Sequence, residues 1–148
     1  MSSLLHFEDF QAGQKYELGS YAVSAEEIVA FAREFDPQPM HVNDEEAKKT
    51  LLGGLAASGW HTCAIAMRLL VDGLLNRTAS LGGVSVDDNR WLRPVRPNDT
   101  LSGTAEVIGT RASSKGGRGY VNFKVVLTRG PEKVLTFTTW PIFATRVA

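Results

Sequence analysis

The stretch from Ser58 to Leu75 constrains the fold of this chain most, because it predicts a helix that is apolar on nearly every side. Ser58 is a favourable N-cap for that helix, and a run of small residues precedes it. At about 100° per residue, only His61, Arg68 and Asp72 fall on one narrow polar line, within about 40° of one another. We therefore expect this helix to lie at the centre of the molecule, with a sheet curled around it.

The rest of the chain supplies the strands of such a sheet. From Leu81 onward, apolar and polar residues alternate with a period of two, and clusters of glycine, proline and serine separate the alternating segments. With a similar segment near the N-terminus, this pattern predicts five antiparallel strands, at residues 14–23, 81–92, 99–110, 120–129 and 134–145. Five strands around one central helix are the outline of a hot-dog fold, in the α+β class. Its edge strands would be exposed, so we expect a homodimer at least.

A second helix precedes the central one. Ser24 and Glu27 form a capping box at its start, and an apolar stripe then runs along one face through Ile28, Phe31, Ala32 and Phe35. A shorter helical piece is predicted from Asn43 to Lys49, with Asn43 as its cap and three acidic residues near its positive end.

Between these two helices lies the segment Asp36-Pro37-Gln38-Pro39-Met40-His41, which places a carboxylate and an imidazole five residues apart. Each proline fixes φ and disfavours helix at the residue before it, so we expect an overhanging loop that is stiff and not helical. Such a loop can hold Asp36 and His41 at a fixed distance, as an acid/base pair that activates water requires. The segment is also typical of a chain that ends a helix and turns, and these residues alone favour that plainer interpretation.

Length and composition favour one domain, residues 1–148, with a core large enough to fold without disulfides. Cys63 is the only cysteine and lies in an apolar run, so we expect a small buried residue rather than a reactive thiol. The 16 basic residues balance the 16 acidic ones without a basic block, which argues against nucleic acid or an anionic membrane as partner. No segment is typical of an export signal or a membrane span, so a cytoplasmic location is expected.

Three segments resemble, in order and spacing, the MaoC-like acyl dehydratases, also called (R)-specific enoyl-CoA hydratases, which have a hot-dog fold. Residues 32–41 are similar to the family motif Ala-x-x-x-Asp-x-Asn-Pro-x-His, with Gln38 in place of Asn. The resemblance continues through residues 54–59 into the central helix. Residues 91–101 are similar to the family's Pro-Val-x-x-Gly-Asp-x-Leu, with Asn98 in place of Gly. Asparagine enters the left-handed region more easily than most residues, so that exchange is tolerable.

The resemblance implies that Asp36 and His41 hold one water molecule and add it across the double bond of a trans-2-enoyl thioester. The product is a (3R)-hydroxyacyl thioester, and the reverse dehydration uses the same groups. Backbone amides at Gly59 would bind the thioester oxygen as negative charge develops on it, and the glycine would let substrate approach closely. Relief of crowding as the chain enters the core is the alternative role of this glycine. Further substrate contacts are expected from Gln38, Met40, Ser58 and Trp60. Coenzyme A or an acyl carrier protein is part of the substrate, and neither a separate cofactor nor a metal is implied.

Two residues depart from the family pattern. Gln38 is one methylene longer than the usual Asn, so the site must adjust around it or the activity is lower. Ser58 stands where better-known members have His. Its hydroxyl is expected to cap the helix, so Ser58→Ala should cost about 1 kcal/mol of stability with little change in rate. His61 is expected to be a hydrogen-bonded residue on the polar line, where Arg68 and Asp72 should pair with each other.

The carrier and the reaction remain open at this point. Basic side chains that could meet the phosphates of coenzyme A or the face of a carrier protein are Arg90, Arg93, Arg96, Lys115 and Arg118, although residues 113–119 are more simply a solvated hairpin loop. One alternative function is a hot-dog acyl-CoA thioesterase, which needs a carboxylate and helix-end amides but releases a free thiol. Another is a non-catalytic acyl-CoA-binding or partner subunit, for which Gln38 and Ser58 are the best reasons. A homodimer or a dimer of dimers is expected.

Overall fold

A computed structural model describes residues 3–147 and confirms the five-stranded antiparallel sheet. Its strands are β1 (Lys15–Ala22), β2 (Ser80–Trp91), β3 (Thr100–Ala112), β4 (Arg118–Arg129) and β5 (Glu132–Ala144). Their order in the sheet is β1-β3-β4-β5-β2, so β1 and β2 form its edges. The predicted domain of residues 1–148 also includes Met1, Ser2 and Ala148, which lie outside the described residues.

Four helices accompany the sheet within residues 3–147. They are α1 (Ala25–Phe35), α2 (Pro39–Val42), α3 (Asp44–Ala47) and α4 (Gly59–Gly73), with short 3-10 turns at Phe7–Asp9 and Leu75–Arg77. Ser24 and Glu27 form the predicted capping box at the start of α1. Asn43 caps α3 as predicted, because its side chain accepts a hydrogen bond from the amide of Glu46.

The prediction that residues 36–41 are not helical is wrong for the second half of this segment. Pro39 is the first residue of α2, and His41 lies on that single turn. Proline is acceptable there because its missing N–H would have no intrahelical partner and its φ is already helical. Gln38, just before the turn, has extended backbone angles. His41 is therefore held by a helical turn rather than by an extended loop.

The hydrophobic core lies between α4 and one face of the sheet. Buried and more exposed side chains alternate along β3 and β4, as the period-two pattern predicts. Fully buried residues on the core face of the sheet include Leu101, Val107, Phe123, Leu127 and Leu135. The side of α4 that faces them carries Ile65, Ala66, Leu69 and Leu70. Burial of each large apolar side chain contributes about 1.5–3 kcal/mol to folding, so this contact fixes α4 against the sheet.

The helix α4 packs against the sheet as predicted, but one of its faces is exposed. Trp60 and Met67 on that face are 64% and 46% exposed. The edge strand β2 is also exposed along most of its length, and its Val84 and Val86 are each 58% exposed. A single chain therefore leaves apolar surface uncovered on both a helix and a sheet edge.

Asn98 has a φ of 71°, in the left-handed region, as its position in the third motif predicts. Cys63 on α4 is half-buried, and burial raises the pKa of its thiol above the usual value. The thiol is thus mostly protonated near neutral pH, which agrees with the expectation of an unreactive cysteine. Within residues 3–147, none of the helices is long and apolar enough to cross a membrane.

Candidate active site

The structure brings the predicted catalytic residues together where three helices meet. Asp36 is the C-cap of α1, His41 lies on α2, and Ser58 is the N-cap of α4. His41 Nε2 lies 3.6 Å from Asp36 Oδ2, and the two side chains are 10% and 18% exposed. The carboxylate and the imidazole therefore face each other in a largely enclosed position.

Each carboxylate oxygen of Asp36 accepts one hydrogen bond. Ser58 Oγ donates to Oδ2 over 2.6 Å, and Gln38 Nε2 donates to Oδ1 over 2.7 Å. The bond from Ser58, and after it the bond from Gln38, lower the pKa of Asp36 because they stabilise the charged form. Asp36 is thus ionised at neutral pH and keeps lone pairs for a further donor.

Ser58 has a second role beyond the predicted cap. Its hydroxyl accepts a 3.3 Å hydrogen bond from the amide of Trp60, as a cap does, and gives its only proton to Asp36. The residue is fully buried and does not line the cavity described below, so it supports the carboxylate from behind rather than contacting substrate. Gln38 reaches Asp36 directly, which is how the longer side chain is accommodated.

The ring nitrogens of His41 have distinct environments. Nδ1 lies 2.7 Å from the carbonyl oxygen of Ala56. Because a carbonyl oxygen only accepts hydrogen bonds, Nδ1 carries the proton of the neutral imidazole, and Nε2 is an acceptor. Nε2 is the nitrogen that faces Asp36. Two acceptors therefore face one small space, and water is the smallest molecule that can donate one hydrogen to each.

Gly59 begins α4, and its backbone amide has no acceptor within residues 3–147. An unpaired amide at the positive end of a helix dipole can bind a developing oxyanion. The space beside its Cα is filled by Trp91, since a Cβ there would lie 2.6 Å from the indole ring. Trp91 Nε1 also donates to the carbonyl oxygen of Gly59 over 2.8 Å. Relief of crowding, the alternative raised from the sequence, is thus the packing reason for this glycine.

A cavity of about 420 Å³ opens beside these groups. Predicted site residues that line it are Asp36, Gln38, His41, Gly59 and Trp60. Met40 does not line it. Its side chain is half-buried, and its carbonyl accepts a hydrogen bond from the amide of Ala56 over 3.1 Å. Seven further residues line the cavity without a role predicted from the sequence: Leu52, Ala56, Ala57, Thr62, Leu92, Pro94 and Val95.

One wall of this cavity consists of two tryptophans. The rings of Trp60 and Trp91 meet edge to face, with centroids 5.5 Å apart.

Only one of the five basic candidates, Arg93, lines the cavity, and it also pairs with Glu132 over 2.8 Å. The basic candidates that do not line it are Arg90, Arg96, Lys115 and Arg118.

A second cavity, of about 530 Å³, lies along the polar line of α4. His61, Arg68 and Asp72 line it, and Arg68 Nε pairs with Asp72 over 2.7 Å as predicted. His61 is not hydrogen-bonded as expected, because within the described residues Nδ1 is buried without a partner and Nε2 lies 3.8 Å from Glu27. Burial lowers the pKa of His61. Asp36 and His41 line the 420 Å³ cavity and not this one, so the 420 Å³ cavity is the candidate active site.

Comparisons with known proteins cover the segments that carry this site. The family model described as MaoC like domain matches residues 9–128. The uncharacterized protein YdeM of Bacillus subtilis is 35% identical over 104 residues, which cover 70% of this chain and 74% of YdeM. The (R)-specific enoyl-CoA hydratase of Rhodospirillum rubrum is 28% identical over 131 residues, which cover 84% of this chain and 82% of that enzyme. A crystal structure of the MaoC-like dehydratase from Rhodospirillum rubrum matches with a TM-score of 0.90 and 36% identity, over 97% of this chain and 99% of that one.

Proposed function

Since this chain belongs to the MaoC like domain family, we propose that it adds water to trans-2-enoyl thioesters to give (3R)-hydroxyacyl thioesters, or catalyses the reverse dehydration. The name of its Rhodospirillum rubrum relative, an (R)-specific enoyl-CoA hydratase, supports both the reaction and its stereochemistry. The observation that carries the proposal is the pair of hydrogen-bond acceptors, Asp36 Oδ2 and His41 Nε2, that face each other across 3.6 Å.

One water molecule between Asp36 and His41 would donate a hydrogen bond to each of them. The 3.6 Å separation is too long for a direct hydrogen bond, and the neutral imidazole has no proton on Nε2 to offer. A water that uses both hydrogens in this way presents its oxygen lone pairs to the cavity. This is the orientation that attack on C3 of a bound enoyl group requires.

A single nitrogen, His41 Nε2, acts first as the base and then as the acid, so no proton is gained or lost overall. As the water oxygen forms a bond to C3, His41 Nε2 accepts one of its protons, and the ionised Asp36 stabilises the imidazolium. Electrons of the double bond move onto the thioester as an enolate. When they return, C2 takes the proton back from Nε2, so hydrogen and hydroxyl add to the same face. The protein ends in its starting protonation state.

The free amide of Gly59 supports stabilisation of the enolate. Negative charge develops on the thioester oxygen during attack, and a fixed N–H donor at a helix start stabilises such charge without reorganisation. Removal of one donor of this kind in other enzymes costs about 10²–10³ in rate. The same amide, unpaired within residues 3–147, is therefore assigned to the thioester oxygen.

We propose that coenzyme A or an acyl carrier protein carries the acyl group. Arg93 is the basic candidate on the cavity, so it is the residue proposed to meet a phosphate of the carrier. The tryptophan wall formed by Trp60 and Trp91 is proposed to contact the acyl chain. That the protein needs no separate cofactor or metal stays a prediction.

We propose further that two copies pair through β2. This strand lies at an edge of the sheet, where its outer backbone groups have no strand partner in the described part of the chain, and its Val84 and Val86 are exposed. A second copy against this edge would extend the sheet and cover apolar surface, including Trp60 and Met67 on α4. A homodimer or a dimer of such dimers follows. The cytoplasmic location stays a prediction.

Hydration of crotonyl-CoA and longer trans-2-enoyl-CoA substrates tests the proposed function. We expect the absorbance of the conjugated thioester to fall without release of thiol, and chiral analysis to identify the 3R product. Release of thiol, detected with a trapping dye, would assign a thioesterase instead. Binding without turnover at every chain length, with and without added partner chains, would assign a non-catalytic subunit. Either of these two results would exclude the hydratase.

A further inference from the structure

Arg96 binds the backbone beside the site without reaching the cavity. Its Nη1 donates to the carbonyl oxygens of Gly54 over 2.8 Å and Leu55 over 3.3 Å. Its Nη2 donates to the carbonyl oxygen of Leu52. The guanidinium is not among the groups that line the cavity. Its charge is thus used to hold backbone rather than substrate.

Arg96 holds the backbone of residues 52–57, the anchor segment. It lies outside the helices and strands, and it contains two consecutive glycines. Gly53 has a φ of 70°, and a Cβ at Gly54 would lie 3.4 Å from Arg96 Nη1. The positive φ favours glycine at position 53, whereas the distance at Gly54 is an ordinary contact, and two consecutive glycines leave the backbone freer to move. Three hydrogen bonds from one fixed, charged group remove that freedom.

The anchor segment contacts His41 directly. The carbonyl of Ala56 accepts the 2.7 Å hydrogen bond from His41 Nδ1. On the other side, the amide of Ala57 donates to the carbonyl of Val95 over 2.9 Å, next to Arg96 in the sequence. A continuous chain of contacts therefore runs from the arginine, through three carbonyls and one short segment, to the catalytic imidazole.

Asp44 holds the same segment through a backbone amide. Its Oδ1 accepts a 2.8 Å hydrogen bond from the amide of Leu55. Arg96 donates to the carbonyl of that same residue, so both peptide groups of Leu55 are fixed by charged side chains. Two opposite charges that converge on one residue make the anchor segment a fixed part of the site rather than a mobile loop.

We propose that Arg96 is a positioning residue for the hydration reaction, because it fixes the anchor segment and thereby the Ala56 carbonyl that orients His41. This inference rests on the proposed function. If that carbonyl moves away, Nδ1 loses its acceptor and the imidazole proton is free to occupy Nε2 instead. An imidazole protonated on Nε2 cannot accept a proton from the water. The loss falls on kcat rather than KM, because Arg96 does not contact substrate.

The test compares wild type, Arg96→Gln and a control, Arg146→Gln. The control also removes a guanidinium group, but this group pairs with Asp9 and both residues are far from the site in sequence. The first readout is the nitrogen-15 NMR shift of each His41 ring nitrogen in the resting protein, assigned with His41→Gln. The second is kcat and KM for an enoyl thioester. We expect His41 to be protonated on Nδ1 in wild type and in Arg146→Gln. In Arg96→Gln we expect mixed tautomers and a kcat at least about tenfold lower, with KM within about twofold.

An unchanged His41 tautomer in folded Arg96→Gln would overturn the positioning role, whatever happens to the rate. If wild type hydrates no enoyl thioester but the tautomer still changes in the variant, the proposed function fails and the positioning role stands. Should Arg96→Gln not fold, Asp44→Ala makes the same test on a half-exposed side chain. We expect the same change of tautomer there, and its absence would again overturn the proposal.

Discussion

Ser58 Oγ donates a 2.6 Å hydrogen bond to Asp36 Oδ2, which joins the start of α4 to the end of α1 across 22 residues of sequence. The same hydroxyl caps α4, because it accepts a bond from the amide of Trp60. One buried group therefore serves the helix and the Asp36 carboxylate at once. The stability of the fold and the charge of the site are linked through it.

The bond to Asp36 changes the expectation for Ser58→Ala, which should lower activity as well as stability, and not stability alone as the sequence predicted. Loss of the cap costs about 1 kcal/mol, and loss of a hydrogen bond to a charged group costs about 1.5–3 kcal/mol more. The pKa of Asp36 should rise, because the bond from Ser58 is the largest cause of its lowered value. The acid limb of kcat/KM should move to higher pH, as measured with a chosen enoyl thioester.

The pH dependence of stability gives a second measure of Ser58→Ala. Because the pKa of Asp36 is lowered by folding, its contribution to stability is complete above the unfolded pKa and is lost as pH falls through the folded one. The difference between wild type and variant should thus be largest near neutral pH and shrink in acid. Ser24→Ala, which removes only the cap of α1, should lose stability without a shift in the pH–rate profile. A shift of equal size in both variants would contradict the role of Ser58.

Asp36→Asn and His41→Gln should each lower the rate of hydration by about 10²–10⁴, because each removes a group that binds or deprotonates the water. Unfolding temperatures and circular dichroism would verify that both variants fold. His61→Gln is the matched control, since this histidine lines the other cavity, and its rate should stay within about twofold of wild type. Full activity in both Asp36→Asn and His41→Gln would refute their assigned roles.

Gly59→Ala should destabilise the protein by about 1–3 kcal/mol, because the added Cβ would lie 2.6 Å from the ring of Trp91. Trp91→Leu removes that overlap, so the double variant should be more stable than the sum of the two single changes predicts. Chemical denaturation of all four proteins measures this coupling. Strictly additive free energies would mean that the ring and the glycine do not restrict each other.

Glutamate residues introduced on the exposed edge strand β2 should prevent the proposed dimer from forming. In Val84→Glu/Val86→Glu, like charges would meet where two β2 strands pair, so sedimentation should detect monomers at concentrations where wild type is dimeric. Ile108→Glu on β3, an inner strand of the sheet, is the control and should remain a dimer. A wild type that is strictly monomeric, or a double variant that still dimerises, would contradict pairing through β2.

Local patterns in the sequence predicted the elements of this fold well. The capping box of Ser24 and Glu27, the helix at 59–73 and the five strands all depend on contacts between residues close in sequence or on a simple period. The left-handed Asn98 was predictable for the same reason, because a turn motif fixes its backbone. The helical turn at Pro39 was missed because proline is read as a helix breaker, although it is favourable at a first position.

Motifs in the sequence were enough to propose which residues supply the chemistry, namely Asp36, His41 and Gly59. Tertiary structure alone decided how they are held. Four hydrogen bonds hold them, and each joins residues 15 to 44 positions apart in the sequence. They run from Ser58 to Asp36, from His41 to the Ala56 carbonyl, from Trp91 to the Gly59 carbonyl and from Arg96 to the Leu52 carbonyl. Periodicity and propensity report energies within a few residues of the chain, whereas a hydrogen bond of this kind depends on the packed positions of two separate elements.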